Sequence, residues 1–152
     1  MKLLIVSFRN TCRGPMACGL ARKIAAENGV VCEVRTAGTV AHRRWPASLL
    51  AVEAMHQVYL DISTEHSKPL TRGLIEWADA VTAVESDLAV GLSLQFPELA
   101  NKIIRPGPDV QDPRQPWATL TDYVNCRDLL EQGLRQLPIW QGPRLAQLPA
   151  GA

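Results

Sequence analysis

Four consecutive apolar residues, Leu3-Leu4-Ile5-Val6, lie between Lys2 and a polar loop. A strand with one wetted face alternates polar and apolar residues. An unbroken apolar run instead fits a strand covered on both faces, as inside a parallel sheet. Parallel neighbours need long crossover connections, usually helices, so this opening commits the chain to alternating strands and helices. Residues 31–37, 80–84 and 102–105 read as three further strands. Pro15 suits the start of a helix that carries Met16, Leu20 and Ile24 on one stripe and stops at Asn28-Gly29. Helices are also expected over 46–55 and 71–77, and from a cap at Ser86-Asp87 toward Gln95. The last helix is expected over 120–137, because Tyr123, Cys126, Leu130, Leu134 and Leu137 fall 3, 4, 4 and 3 residues apart.

The chain has 152 residues, 47% apolar and 20% charged, which suits one domain with a full core. Its net charge of +1 gives no bulk attraction to nucleic acid or to an acidic membrane, so neither is expected as a partner and any anion site must be local. The four cysteines show no Cys-x-x-Cys spacing and no histidine at zinc-ligand spacing, which points to free thiols in a reducing compartment. The opening apolar run is too short for a signal-peptide core, and no stretch approaches the ~20 apolar residues of a membrane span. A cytoplasmic protein is expected, with a domain over 1–137 and an irregular tail over 138–152 in which Trp140 tucks against the body.

In open parallel sheets ligands bind beyond the carboxyl ends of the strands. Ser7-Phe8-Arg9-Asn10-Thr11-Cys12-Arg13 occupies that position after the first strand. A strand–loop–helix unit points successive N–H groups into one concavity, and the helix N-terminus adds about half a positive charge. The Arg13 guanidinium can hold two phosphate oxygens at once, and Asn10 tolerates a left-handed backbone. No Gly-x-x-x-x-Gly-Lys or Gly-x-Gly-x-x-Gly run is present, which separates this loop from the common nucleotide loops.

The stretch from Ser7 to Ala17 resembles the signature of the low-molecular-weight protein tyrosine phosphatases, Cys-x-Gly-Asn-x-Cys-Arg-Ser-Pro-Met-Ala. Asn10, Cys12, Arg13, Pro15, Met16 and Ala17 match it. Thr36-Ala37-Gly38-Thr39 resembles the family's Ser-Ala-Gly-Thr turn, and Asp61-Ile62-Ser63 with Lys68-Pro69-Leu70-Thr71 its Asp-Leu-Ser to Arg-x-Leu-Thr stretch. Ala78-Asp79 and Asp112-Pro113 follow in the same order. The resemblance implies an α/β flavodoxin-like three-layer sandwich, with a four-stranded parallel sheet and a phosphate-binding loop after the first strand. It implies a phosphocysteine mechanism in which the first loop residue attacks phosphorus. Arg13 would then clamp the phosphoryl oxygens, with the loop residues Phe8, Arg9, Asn10, Thr11, Cys12 and Gly14 around them, and Asp112 would protonate the leaving group. No metal or other cofactor is implied. The expected partner is phosphate, a phosphorylated protein or a small phosphoester; the oligomeric state stays open.

Three loop positions depart from the signature. Ser7 stands in the nucleophile's place, and a hydroxyl needs an adjacent base or a metal where a thiol needs only a lowered pKa. Arg9 replaces a glycine, which implies a changed loop shape or backbone strain. Gly14 replaces a serine that, in the family, helps order the loop around the thiolate. Arg114 and Gln115 replace aromatic residues common after Asp-Pro, which weakens the case for phosphotyrosine. The favoured expectation is a phosphatase-like protein that binds phosphoryl oxyanions and is catalytically impaired. The alternatives are an active tyrosine phosphatase carrying a Cys-to-Ser change, Ser7 as an unusual nucleophile, and an arsenate-reductase-like protein.

By resemblance the loop holding Arg44 and Trp45 forms a substrate lip. The alternative for that stretch is a solvated loop with one packing tryptophan. Cys12 is expected to be a small buried residue, because Ser7 cannot join it in the disulfide that the family's two loop cysteines can form. His42, His56 and His66 are expected at the surface, and Trp77 and Trp117 as packing anchors.

Overall fold

The computed structural model describes residues 1–141; the part of the expected irregular tail over 142–152 lies outside them. Strands β1 (Lys2–Ser7), β2 (Glu33–Gly38), β3 (Ala80–Ala83) and β4 (Ile103–Ile104) form one parallel sheet in the order β2-β1-β3-β4. The apolar opening run is the inner strand. Its Leu3 and Ile5 join a core with helices α1 (Arg13–Glu27), α2 (Leu49–His56) and α5 (Leu120–Arg135). Its Leu4 and Val6 face the opposite core, toward α3 (Arg72–Trp77) and α4 (Ser86–Gln95). Burial on both faces is the physical reason that the run is unbroken. The sheet order with helices on both sides is the flavodoxin-like sandwich expected from the sequence. No described helix is long and apolar enough to cross a membrane.

Several boundaries differ from the sequence pattern because distant partners set them. Strand β2 starts at Glu33, two residues later than the pattern gives, and runs one residue past the expected end to Gly38, because β1 pairs with it from Lys2 opposite Glu33 to Ser7 opposite Gly38. Helix α1 starts at Arg13, two residues before Pro15, with Cys12 at its N-cap. Helix α4 starts at Ser86 with Glu85 at the N-cap position. Asp109, from the loop after β4, provides the capping oxygen, accepting hydrogen bonds from Ser86 N (2.7 Å) and Ser86 Oγ (2.8 Å). Helix α5 is set locally instead, by a capping box between Thr119 and Asp122. All five residues of its expected buried face are buried.

Of the expected irregular tail, only 138–141 are among the described residues. Pro138–Gln141 form a 3-10 turn in which Trp140 is buried and donates Nε1–H to the Leu134 carbonyl at 2.6 Å. Trp117, expected as an anchor, is 76% exposed. Trp77 does pack, between the cations of Lys2 and Arg35, with the Arg35 guanidinium 4.2 Å from its ring centre.

Gly38 joins the sheet to the loop after β1. A Cβ there would lie 2.6 Å from the Phe8 carbonyl oxygen and 2.8 Å from Ala41 Cβ. Backbone cannot yield as a flexible side chain does, so Gly38→Ala should displace the loop and destabilise the fold by about 1–3 kcal/mol. Urea unfolding measures this, and an unchanged midpoint would contradict the close approach.

Candidate active site

The site begins with the direction of peptide planes. The carbonyls of Ser7 and Phe8 accept from Thr39 N (3.0 Å) and Val40 N (2.8 Å), that of Thr11 from Ser48 N (2.7 Å), and that of Cys12 from Met16 N (3.1 Å). Each carbonyl of the loop so tied faces the scaffold, and a trans peptide turns the following N–H the other way. The N–H groups of Arg9, Asn10, Thr11 and Cys12 find no backbone acceptor among the described residues. Free N–H groups in a loop that leads into the first turn of a helix are the donors that an anion-binding concavity uses.

Asn10 makes the bend, with φ at 57°. This is the left-handed conformation that asparagine tolerates. Arg9 does not have a positive φ, so the strain expected from losing a glycine at that position is absent. The Arg9 side chain is exposed and lies 6.0 Å from the Phe8 ring centre. Ser7 ends β1 with 1% of its surface exposed, and its Oγ has no hydrogen-bond partner. The buried amide of Asn10 is also unpartnered at both Oδ1 and Nδ2. A Cβ on Gly14 would lie 2.3 Å from Asn10 Oδ1 and 2.9 Å from Ser7 Oγ. Gly14 therefore leaves the space into which the Asn10 amide leans beside Ser7.

Arg13 is buried and strongly tied. Its Nη1 donates to Glu85 Oε1 and, at 2.8 Å, to the Val110 carbonyl. Its Nη2 lies 3.9 Å from Asp112 Oδ2. Asp112 in turn is gripped by Arg114, whose Nη2 donates to Oδ2 at 2.8 Å and whose Nε donates to Oδ1 at 3.2 Å. Arg114 Nη1 donates to Thr11 Oγ1 at 2.8 Å, linking the loop after β1 to the loop after β4. Half-burial pushes the Asp112 carboxyl up, but the hydrogen bonds and charge of Arg114, with Arg13 behind, outweigh it and hold the group below its ordinary value. Cys12 is buried and free; contact with Cys126 and desolvation push its thiol far up, so it stays protonated.

The sequence-derived residues thus come together around one edge of the sheet, with one exception. Trp45 lines a cleft with Phe8, Arg9, Thr11, Val40, His42 and Arg114, but Arg44 does not line it. Arg44 is exposed at φ 62°. His42 is exposed, as expected, and stacks on Trp45 with ring centres 4.6 Å apart. Two residues of the network, Glu85 and Arg114, do not stand out in the sequence as partners. The available signal for Glu85 is an acid directly after the third strand, at the ligand-binding edge; for Arg114 it is a cation two residues after Asp112. Among the described residues no group of His, Cys, Asp and Glu is arranged to hold a metal ion.

The family model described as low molecular weight phosphotyrosine protein phosphatase matches residues 2–147. The chain belongs to that family. Among the phosphatases it resembles is the protein-arginine-phosphatase of Bacillus subtilis (strain 168), 34% identical over 144 residues, covering 90% of this chain and 94% of that one. A solved structure of the arginine phosphatase YwlE, a cysteine-to-serine mutant with a phosphorylated active-site serine, matches with a TM-score of 0.80 at 34% identity, covering 90% of this chain and 92% of that chain. A low molecular weight protein tyrosine phosphatase from T. tengcongensis matches with a TM-score of 0.79 at 33% identity, covering 88% of this chain and 95% of the other.

The depressed pKa of Asp112 has a definite sign in stability. A carboxyl whose folded pKa lies below its unfolded value stabilises the fold fully above the unfolded value, about 4, and that contribution is lost as pH falls through the lower folded value. Arg114→Ala removes the main opposing partner of burial. The Asp112 midpoint, followed by carboxyl-carbon NMR, should move upward, and acid unfolding should begin at higher pH. An unmoved midpoint would show that Arg114 does not hold the carboxylate.

Proposed function

We propose that this protein binds the phosphoryl group of a phosphorylated protein side chain in the loop from Ser7 to Gly14 and turns it over slowly. Ser7 acts as a phosphoryl acceptor. The observation that carries this is the buried, unpartnered Ser7 Oγ at the head of a loop whose N–H groups from Arg9 to Cys12 have no backbone acceptor among the described residues and which leads into helix α1 at the buried Arg13. Phosphoryl transfer needs positioning and charge stabilisation above all, and this arrangement supplies both. Arg13 and the loop amides hold the oxyanions. Ser7 Oγ forms a new bond to phosphorus as the bond to the departing group breaks, and the hydroxyl proton leaves with that group.

The slow step follows from the same geometry. No base is hydrogen-bonded to Ser7 Oγ, so the hydroxyl attacks without activation. Asp112, held as a carboxylate, is a weak proton donor and gives a departing phenolate little help. When water attacks the phosphoryl group, the Ser7 alkoxide is also a poorer leaving group than a cysteine thiolate, so the phosphoryl group stays on Ser7. The phosphorylated active-site serine of the YwlE mutant supports this outcome for a serine in such a site.

Among phosphorylated side chains, phosphoarginine is favoured over phosphotyrosine. Arg114 demonstrates that a guanidinium fits between Thr11 Oγ1 and the Asp112 carboxylate, and the Bacillus subtilis relative is named for arginine dephosphorylation. An arsenate reductase would need thiols able to shuttle electrons. Cys12, in the loop, is buried and held protonated against Cys126, which argues against that chemistry.

With an aryl phosphate or a phosphoarginine peptide, the chain should release no more than about one equivalent of product in the first phase, and mass spectrometry should find the phosphoryl group on Ser7. Ser7→Cys should raise steady-state turnover by at least about a hundredfold, the usual scale for restoring an activated nucleophile. Arg13→Lys keeps the charge and loses the fork, and should weaken phosphate binding about tenfold. Rapid multiple turnover by the serine form would overturn the slow-acceptor reading. Failure of phosphate to bind at all would overturn the site.

A further inference from the structure

The cleft beside the loop is walled by Arg114 and does not include Asp112. Asp112 lines a neighbouring hollow with Pro113, Gln115, Trp117 and Cys126. The guanidinium of Arg114 stands between the two, bonded on one side to Asp112 and on the other to Thr11. Every donor nitrogen of that guanidinium is engaged, and the backbone N–H of Arg114 also donates to Asp112 Oδ1 at 2.9 Å. The side chain is about one quarter exposed, at 27%, so it forms a surface strap rather than part of the core.

We propose that Arg114 determines which ligands the site accepts: it closes the passage between Thr11 and Asp112, so a bare oxyanion enters the loop freely whereas a substituted phosphoryl group must displace the guanidinium. This rests on the phosphoryl-binding reading of the loop. The physical basis is a difference between ligands. Inorganic phosphate occupies only the concavity formed by the loop amides and Arg13. A phosphoryl group bearing a side chain projects that side chain out of the concavity, past Thr11, where Arg114 now lies. Asp112 can reach the departing atom only when the same bridge opens. A ligand that brings its own guanidinium replaces the bonds that it breaks, because Thr11 Oγ1 and Asp112 then regain a cationic donor. A phenyl group offers no replacement. The latch thus penalises aryl ligands most, guanidinium ligands less and bare phosphate not at all.

Removing Arg114 has opposite consequences under the two roles that a cation could play here. As a latch, its loss strengthens substituted ligands relative to phosphate. As an auxiliary phosphate clamp, its loss weakens both. Binding of inorganic phosphate and of phenylphosphonate, which cannot transfer its phosphoryl group to Ser7, is measured by calorimetry for the full chain, Arg114→Ala and Arg114→Lys. The ratio of phenylphosphonate to phosphate affinity should rise about tenfold in Arg114→Ala, the scale of one charge-assisted hydrogen bond. Arg114→Lys keeps the charge but cannot bridge both partners, and should raise the ratio as well. A ratio that falls or stays constant in both variants overturns the latch while leaving phosphate binding by the loop intact. Absence of phosphate binding in all three proteins instead removes the underlying reading, and the latch with it. Circular dichroism of each variant checks folding, and Arg114→Lys alone decides if Arg114→Ala is unfolded.

Discussion

The buried cation of Arg13 is the constraint on which the rest of the site depends. A guanidinium 5% exposed to solvent cannot remain without compensating acceptors, because an unpaired buried charge costs several kcal/mol, about 3–5 when a partner is removed. Donor and acceptors come from three separate strand ends. The loop after β1 supplies the arginine itself, Glu85 follows β3, and Val110 and Asp112 follow β4. Meeting those needs brings the carboxyl edge of the sheet into one structure. The Asp109 contact to the start of α4 and the Val110 N–H to the Val84 carbonyl (3.1 Å) hold the two acceptor segments, after β3 and after β4, together. The binding site and the junction of the fold are therefore one network.

That arrangement explains which features the sequence reveals. Local requirements leave local marks. The unbroken run of β1 reflects burial on both faces, Asn10 marks the left-handed bend, and the five-residue stripe of α5 marks its buried face. Requirements met by distant residues leave weak marks. Glu85 is 72 positions from Arg13, and Arg114 is 103 positions from Thr11, so neither pairing has a spacing to be read. Of the two expectations at Arg9, a changed loop shape or backbone strain, the strain does not arise, for a related reason. Resemblance supplied a glycine at that position, but the backbone turns at the next residue, and Arg9 needs no special φ. Trp117 shows the converse: a large apolar side chain carries no record of its exposure, and this one projects from the surface.

Ser7, Asn10 and Gly14 make best sense as a group. A cysteine thiolate at position 7 would place a full negative charge against the loop donors, and a serine at position 14 could add a hydroxyl donor. Ser7 is neutral, so it adds no anion to the Glu85 and Asp112 carboxylates already beside Arg13, and it leaves the N-terminus of α1 and the free loop N–H groups without a negative charge of its own. The Asn10 amide occupies the room left by Gly14 and remains unpaired. At an effective dielectric constant of 20, a unit charge about 4 Å away is worth ~4 kcal/mol of interaction before desolvation. Replacing thiolate by hydroxyl therefore removes a large repulsion toward an incoming phosphoryl dianion, at the same stroke as it removes the strong nucleophile. In the proposed function, tight oxyanion binding and slow turnover are then two consequences of a single atom. The proposed latch at Arg114 would add the complementary control at the mouth of the site, where side chains rather than phosphoryl oxygens are distinguished. On the two proposals together, the floor of the site favours capture over release, and its wall restricts which phosphorylated groups reach that floor.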